Sequence, residues 1–167
     1  RSLPSVPFKC SRTHMVKPNS LLLFQVDRNY YSVPYEYAYR QLRVEAYTDK
    51  IEIYDRAKLV AMHNRSYNRG EKVMELEHYL PVLAIKPRAA KNALVVRKLP
   101  EIYQKLRRLL CKHNTEGYKE YAKILLLNKE FDFKDVMNAI EDNINLGITT
   151  YANIRQTIIS QSISSKP

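Results

Sequence analysis

The chain has 167 residues, of which 45% are hydrophobic and 27% are charged, values typical of a soluble globular protein with one domain or two small modules. Its 28 lysines and arginines outnumber 17 aspartates and glutamates, and the formal net charge of +11 indicates a polyanionic partner. No apolar run reaches the length of a membrane span and no signal-peptide pattern opens the chain, which excludes an integral membrane protein of the helical class. We therefore expect no membrane partner. Cys10 and Cys111 lie far apart in sequence and form no disulfide framework, so we expect a reducing, cytoplasmic location.

The positive charge is unevenly distributed. Residues 1–70 and residues 71–125 each carry 12 basic and 6 acidic side chains, whereas residues 126–167 carry 4 and 5. We expect the first three quarters of the chain to face phosphate and the last quarter to face something else.

Residues 1–20 contain Pro4, Pro7 and Pro18 and little periodicity, which predicts an extended arm or linker. Residues 21–70 then alternate between polar and apolar side chains. Leu42 and Val44 fall on one face of a strand and Arg43 on the other. We predict strands at 21–27, 28–34, 41–47, 50–55 and 57–65, with turns at 28–29, 49–50 and 55–56. Five short strands in so little sequence predict a small β-barrel, because closure removes exposed edges.

The pattern changes near Gly70. Residues 71–98 form a connecting segment with a short helical turn at 76–84, broken by Pro81 and Pro87. Residues 99–160 are predicted to be a helical domain, and residues 161–167 a flexible tail. Of the four predicted helices, the first begins after Pro100 and the second begins near residue 115. The third begins after an Asp132 cap and ends at Gly147, and the fourth begins at a threonine cap near residue 150. The predicted fold class is α+β, with a small N-terminal barrel followed by a C-terminal helical region.

Apolar residues recur at helical spacing in each predicted helix. The predicted buried stripes are Ile102, Leu106, Leu109 and Leu110; Tyr118, Tyr121, Ala122 and Leu125; Phe133, Val136, Met137, Ile140 and Ile144; and Ile154, Ile158 and Ile159.

The sequence offers little for catalysis. Cys10 with His14, and Cys111 with His113, could supply zinc ligands, but their spacings match no familiar zinc finger. The chain has no Gly-x-Ser-x-Gly motif, and with three glycines it has no phosphate-cradling loop. Asp27, Asp49 and Asp55 are interpreted as turn residues. We therefore predict a non-enzymatic chain without a metal or cofactor, and an independent hydrolytic enzyme is disfavoured.

Basic side chains form two groups. Residues 86–112 carry nine lysines and arginines against the single acid Glu101, which indicates a phosphate-tracking strip; the alternative is a solvated helix face. Arginines and tyrosines are interleaved on the predicted barrel. No segment resembles a base-reading recognition helix, so binding to double-stranded DNA should be mainly to the backbone. The predicted DNA-binding residues are Arg40, Arg43, Arg56, Lys58, Arg65, Arg69, Lys86, Arg88, Lys91, Arg97, Lys98, Arg107 and Arg108.

Several short motifs, in order, resemble the C-terminal region of IstA-type insertion-sequence transposases, relatives of the bacteriophage Mu transposase. They are Asn29-x-Tyr31-Ser32-Val33-Pro34, Ala61-x-His63-x-Arg65, His78-Tyr79, the Lys-Pro-x-Ala-x-x-Asn-Ala stretch over 86–93, Tyr121-x-x-Ile124-Leu125, Ala139-Ile140 and Gly147-Ile148. The resemblance runs from about Leu3 to about residue 158. Within it, Tyr31 and Val33 are interpreted as packing residues and Pro34 as the end of a strand.

The resemblance implies a bacterial transposase fragment. In that family the catalytic RNase H-like domain, with its Asp-Asp-Glu metal-binding triad, lies upstream, so the resemblance implies that this chain is a non-catalytic module that binds DNA, either transposon ends or target. It also implies other transposase subunits and an AAA+ ATPase helper as partners in DNA integration and recombination.

A second hypothesis belongs to a different class. The near-neutral residues 126–167 could make the chain a protein-interaction module that contacts the helper ATPase, with only incidental affinity for DNA.

Overall fold

The computed structural model of the chain describes residues 10–112 and 115–164. The chain divides into two compact units, Arg1–His78 (unit 1) and Tyr79–Pro167 (unit 2), where the sequence predicted a change near Gly70. Over its described residues, unit 1 contains the strands β1 (Arg12–Val16), β2 (Leu23–Val26), β3 (Asn29–Ser32), β4 (Leu42–Ala46), β5 (Lys50–Asp55), β6 (Lys58–Asn64) and β7 (Lys72–Val73).

The strands of unit 1 pair into two sheets. An antiparallel sheet has the order β1-β4-β5-β6, and a smaller sheet has the order β2-β3-β7, in which β3 and β7 are parallel. The five predicted strands are confirmed, but no single closed barrel forms among the described residues. The reason lies after β3, where Pro34 lacks a backbone donor and a 3-10 turn at Tyr35–Tyr37 follows. The chain therefore leaves the small sheet before β4 begins.

The predicted alternation on β4 is confirmed. Leu42 and Val44 are fully buried, while Arg43 between them is only partly covered. Val44 lies opposite Ile53 on β5, and Ile53 is also fully buried. The apolar side chains on this face of the larger sheet form the core of unit 1.

β1 lies inside the segment that the prolines predicted to be an extended arm. It pairs antiparallel with β4 over five residues, with His14 opposite Val44 and Val16 opposite Leu42. This strand depends on hydrogen bonds to a partner 30 residues away in sequence, and its own composition does not reveal them. Residues 1–9 of the predicted arm lie outside the described part of the chain.

The hairpin between β2 and β3 turns at Asp27 and Arg28, one residue before the predicted position. Both residues have positive φ, 48° and 67°, and the strands pair from Val26 opposite Asn29. Two positive φ values in a two-residue loop define a type I′ turn, which matches the right-handed twist of the flanking strands. The turn forms here without the glycine that usually relieves this conformation.

Over its described residues, unit 2 is helical, and the division between the units falls within the first helix. The helices are α1 (Leu76–Ile85), α2 (Leu94–Arg97), α3 (Glu101–Cys111), α4 (Thr115–Leu126), α5 (Phe133–Asn145) and α6 (Tyr151–Ser164), with 3-10 turns at Pro87–Lys91 and Leu127–Lys129. α1 continues through Pro81, where a break was predicted, and ends before Pro87. α6 extends into the predicted tail, of which residues 165–167 lie outside the described part.

The predicted end of α5 is confirmed. Gly147 has a φ of 73° and donates to the Ile144 carbonyl at 3.1 Å, and Ile148 donates to the Asn143 carbonyl at 2.9 Å. These two bonds form a Schellman motif, in which glycine relieves the left-handed conformation. Asp132 occupies the predicted cap position at the start of α5, but its side chain makes no capping hydrogen bond.

The buried stripe of α3 differs from the prediction. Tyr103 and Leu106 are fully buried, whereas Leu109 is 52% exposed. Tyr103, which was not in the predicted stripe, takes a buried position instead, and its ring stacks on Phe133 with centroids 5.3 Å apart. The stripes of α4 and α6 are largely confirmed by the burial of Tyr121, Leu125, Ile154 and Ile158. On α5, Val136 and Ile140 are buried, but Phe133 is 39% exposed.

Candidate nucleic-acid interface

Three of the predicted DNA-binding arginines lie around one depression in unit 1. Arg40, Arg43 and Arg56 line a concavity of about 670 Å³ together with Asp55 and Met15. Arg40 lies 3.6 Å from the Asp55 carboxylate, and its guanidinium sits 5.7 Å from the centroid of the Tyr37 ring. Lys58 and Arg69, also predicted, are exposed and do not line this depression.

Arg43 belongs to a charge-compensated network on the outer face of the larger sheet. Its Nη1 donates to Glu45 Oε1 at 2.5 Å, and its guanidinium lies 4.8 Å from the centroid of Tyr54. Glu45 stands directly opposite Glu52 across β4 and β5. Two facing carboxylates repel each other, so the neighbouring donors that bind them stabilise this face.

Tyrosine hydroxyls and a lysine complete that compensation. Tyr47 donates to Glu45 at 2.6 Å and Tyr54 donates to Glu52 at 2.7 Å, and these hydrogen bonds raise the pKa of each tyrosine to about 12. Lys50 lies 2.7 Å from Glu52, and this hydrogen bond raises the pKa of the lysine. The outer face is thus rich in both signs of charge, and its cations are already paired.

Arg65 ties two turns of unit 1 together. Its Nη2 lies 2.6 Å from Asp27 Oδ2, its Nη1 donates to the Tyr47 carbonyl at 2.5 Å, and its side chain is only 15% exposed. The guanidinium also lies 5.1 Å from the centroid of the Tyr67 ring. These contacts give Arg65 a structural role that its sequence position did not reveal.

Residues from three of the motifs that carry the resemblance lie together in a buried polar cluster of unit 1. They are Ser32, His63 and His78. Ser32 Oγ lies 2.7 Å from His78 Nδ1, and the Ser32 carbonyl lies 2.6 Å from His63 Nε2. The two histidine rings are 5.6 Å apart, edge to face. Burial, and to a smaller extent the neighbouring His63, lower the pKa of His78 to about 4. Because Ser32 has no exposed surface, this cluster is a structural element rather than a nucleophile.

Asn29 and Tyr31, from the same motif, hold the chain beyond β6. Asn29 Nδ2 donates to the Ser66 carbonyl at 2.8 Å, and Asn29 Oδ1 accepts from the Glu71 amide at 3.0 Å. The Tyr31 hydroxyl accepts from the Ser66 amide at 3.1 Å. Tyr31 and Val33 are buried, so their interpretation as packing residues is confirmed.

Unit 2 contains a strongly basic cleft. It has a volume of about 710 Å³ and lies between the 3-10 turn at Pro87–Lys91, α2, α3 and the start of α4. Among the residues that the structure describes, no carboxylate lines it. Its cationic lining is Lys91, Arg97, Arg107, Arg108 and Lys112. We call this concavity the α3–α4 cleft.

Most of the cations of the α3–α4 cleft lack a counter-charge. Arg108 lies 2.5 Å from Glu101, but both side chains are well exposed, so solvent weakens their attraction. Lys91, Arg97, Arg107 and Lys112 have no carboxylate within 4.0 Å among the described residues. Unpaired cations in a concave surface concentrate the positive field there.

Backbone contacts hold the walls of the cleft in place. Gln104 Nε2 donates to the Val96 carbonyl at 2.5 Å, which joins α3 to α2. Arg107 Nη1 donates to the Lys91 carbonyl at 3.4 Å, which joins α3 to the 3-10 turn. A Cβ atom added at Gly117 would lie 1.9 Å from the Leu110 carbonyl oxygen, so the glycine permits the close approach of α4 to the end of α3.

The sequence predicted this cleft only in part. Lys91, Arg97, Arg107 and Arg108 belong to the predicted set, and the structure brings them together. Lys86, Arg88 and Lys98 do not line the cleft. Lys112 was counted within the basic strip but not selected, and Tyr118, also on the lining, was assigned to the core. The signal in the sequence that could have identified Tyr118 is its position directly after Gly117, close to the basic strip over residues 86–112.

Over residues 10–112 and 115–164, no group of three histidine, cysteine or acidic side chains is placed to hold a metal ion. Cys10 is exposed and Cys111 is half-buried, and His113 lies outside the described residues. No helix in the described part is long and apolar enough to cross a membrane.

Comparison with known proteins supports the resemblance that the sequence motifs carry. Residues 3–75 match the family described as Mu transposase, C-terminal domain. A transposase of Aminobacter aminovorans is 29% identical over 147 residues, which cover 85% of this chain and 28% of that protein. The transposases for insertion sequences IS1326/IS1353 of Pseudomonas aeruginosa and of Shigella flexneri are each 31% identical over 133 residues, covering 77% of this chain and 26% of each protein.

The predicted resemblance is therefore confirmed, and the chain spans about a quarter of the length of these relatives. No solved structure gives a significant match.

Proposed function

Because residues 3–75 match the Mu transposase C-terminal domain and the rest of the chain continues the similarity to transposases, we propose that this chain is a non-catalytic module of a DDE-type transposase. It binds the backbone of double-stranded DNA, at transposon ends or target, and supports assembly of the transposition complex with other transposase subunits.

The observation that carries the proposal is the α3–α4 cleft. Five cations line it without a carboxylate, and four have no ion-pair partner among the described residues. Phosphates would replace the counterions that such a surface collects, and the release of those counterions favours binding. In unit 1, Arg40 and Arg56 offer a second, weaker contact, because Asp55 already lies beside Arg40.

The test is a titration of the whole chain with a fluorescent 20-base-pair duplex, read by anisotropy at two salt concentrations. The proposal predicts binding that weakens steeply with salt and that differs little between unrelated sequences. A chain that binds no duplex even at low salt contradicts it.

A second candidate function is favoured by apolar side chains at the ends of α5 and α6. Leu146 is 72% exposed and Ile163 is 70% exposed, in the part of the chain that carries no excess of positive charge. Large apolar side chains that stay exposed are candidate protein contacts, because a partner that covers them removes apolar surface from water. We propose that these residues contact the AAA+ ATPase helper.

Point variants test this contact better than truncation, because Ile154 and Ile158 on α6 are fully buried and their removal would unfold unit 2. Leu146→Asp with Ile163→Asp should weaken association with the purified helper ATPase in calorimetry. The matched control is Leu59→Asp, at an exposed leucine of unit 1. Unchanged association of the double variant contradicts the contact.

A further inference from the structure

The α3–α4 cleft is not lined by cations alone. Leu109 is 52% exposed, and it shares the lining with the half-buried Tyr118 and Cys111. A surface that binds only phosphates does not require an exposed leucine near a tyrosine, because exposing apolar side chains to water is unfavourable. The lining therefore fits a ligand that is both anionic and partly apolar.

The volume of the cleft also limits which classes of ligand it can bind. Its volume of about 710 Å³ lies in the range of pockets that enclose small molecules. A double helix keeps its base faces stacked inside, so it offers a protein only phosphates, sugars and groove edges. An unpaired nucleotide offers phosphate and a flat base face together, and aromatic side chains bind such faces by stacking.

The cleft is also held in shape before any ligand arrives. Gly117 lets α4 abut the end of α3 at Leu110, which sets Tyr118 beside the cations of α3. Arg107 is anchored by its 3.4 Å hydrogen bond to the Lys91 carbonyl. A preorganised site loses less conformational entropy on binding than one that must be assembled.

We propose that the α3–α4 cleft binds unpaired nucleotides of a DNA strand. The base stacks on Tyr118 and contacts Leu109, and the flanking phosphates bind Arg97, Arg107 and Lys112. This inference rests on the proposed function, because it assumes that the chain binds DNA, and it adds that the cleft also takes unpaired strands, whose bases reach Tyr118 and Leu109.

The first experiment compares a fluorescent single-stranded oligothymidylate with a hairpin duplex of equal length, using the whole chain. Tyr118→Ala should weaken single-strand binding about tenfold, as expected from the loss of one stacked base, while duplex binding changes less than twofold. Tyr118→Phe keeps the ring and should bind like the wild type. Tyr35→Ala, at an exposed tyrosine of unit 1, is the matched control and should change neither affinity.

The second experiment needs no change in the cleft. In a Cys10→Ser background, Cys111 is the remaining cysteine of the chain, and its alkylation rate reports access to the cleft. Burial raises the pKa of the Cys111 thiol, so the reaction is followed at alkaline pH. Saturating oligothymidylate should slow alkylation at least severalfold, and the duplex should slow it less.

The outcomes separate the inference from the proposed function. A chain that binds duplex but not single strands overturns the inference and leaves the proposed function standing. Single-strand binding that is unchanged by Tyr118→Ala, or that leaves Cys111 alkylation unchanged, also overturns the inference. A chain that binds neither form of DNA overturns both.

Discussion

The two units differ in how they use positive charge. On the outer sheet face of unit 1, Arg43 and Lys50 are held by Glu45 and Glu52, and Arg65 is held by Asp27. In unit 2, the cations of the α3–α4 cleft stand largely without acids. Residues 1–70, within unit 1, and residues 71–125, most of which lie in unit 2, nevertheless each carry 12 basic and 6 acidic side chains. Local pairing, and not the charge of a segment, therefore decides where a polyanion can bind.

Removing equal charge from each unit should have the largest effect on DNA affinity and tests this difference between the units directly. The variant R97A/R107A/K112A should weaken duplex binding about 100-fold at low salt, and should reduce the slope of log affinity against log salt by about 2 to 3. R40A/R56A/K58A removes the same charge from unit 1 and should weaken binding only a few fold. Anisotropy titrations at several salt concentrations measure both. Equal losses would show that the cleft has no special role.

Gly117→Ala should destabilise unit 2 by about 2 kcal/mol, because the added methyl group meets the Leu110 carbonyl and α4 must shift away from α3. Chemical denaturation followed by circular dichroism measures the change. Gly70→Ala is a useful control, since a Cβ there meets no atom within 4 Å and only its positive φ disfavours alanine. A Gly117→Ala variant as stable as the wild type would contradict the close packing that shapes the cleft.

Arg65→Ala should lower the stability of unit 1 by about 1.5 kcal/mol, because Asp27 and the Tyr47 carbonyl lose a charged donor. Its effect on duplex affinity, measured under conditions where the variant is folded, should be less than twofold. Thermal unfolding and anisotropy on the same sample distinguish the two roles. A large loss of DNA affinity with unchanged stability would instead make Arg65 a phosphate contact.

The histidine cluster predicts an effect that is confined to acidic pH and amounts to about 3 kcal/mol by pH 4. Burial depresses the pKa of His78 to about 4, below the value of about 6.5 in an unfolded chain. The unfolded state therefore binds a proton first as the pH falls. The stability that His78 contributes is fully present above pH 6.5 and is lost between about pH 6.5 and pH 4.

Denaturant unfolding across that pH range checks this prediction. The Glu75 carboxylate, whose pKa is lowered by the neighbouring His63, 3.8 Å away, adds a further loss below about pH 4.5. His78→Gln should flatten the profile between pH 6.5 and pH 4 while leaving the Glu75 loss in place. A wild-type profile without a slope in that window would contradict the burial of His78.

The sequence predicted features that depend on local pattern. Alternation placed Leu42, Val44 and Arg43 on the correct faces, and Gly147 marked the end of α5, because both signals reside in a few consecutive residues. β1 was missed because its pairing with β4 is set by residues far along the chain. The expected closed barrel does not form among the described residues, where β3 pairs with β7 as well as with β2. Nothing in the alternating pattern of β3 reveals this second neighbour.

The candidate site was predictable only as a set of charges. Sequence alone places Arg65 and Arg97 in equal standing, as basic residues beside apolar ones. Tertiary structure separates them, since Asp27 reaches Arg65 across 38 positions while no carboxylate reaches Arg97 among the described residues. Leu109 and Tyr118 were assigned to buried stripes for the same reason. Helical spacing shows which residues share a face, but not which part of that face remains open.

The most direct test of the central claim is lysine footprinting of the unmodified chain, with and without a saturating DNA duplex, read by mass spectrometry after brief acetylation. If the α3–α4 cleft is the main phosphate-binding surface, Lys91 and Lys112 become protected, Lys58 is protected less, and the exposed Lys134 on α5 reacts as before. Protection of Lys58 without protection of Lys91 and Lys112 would contradict the account and place the DNA on unit 1.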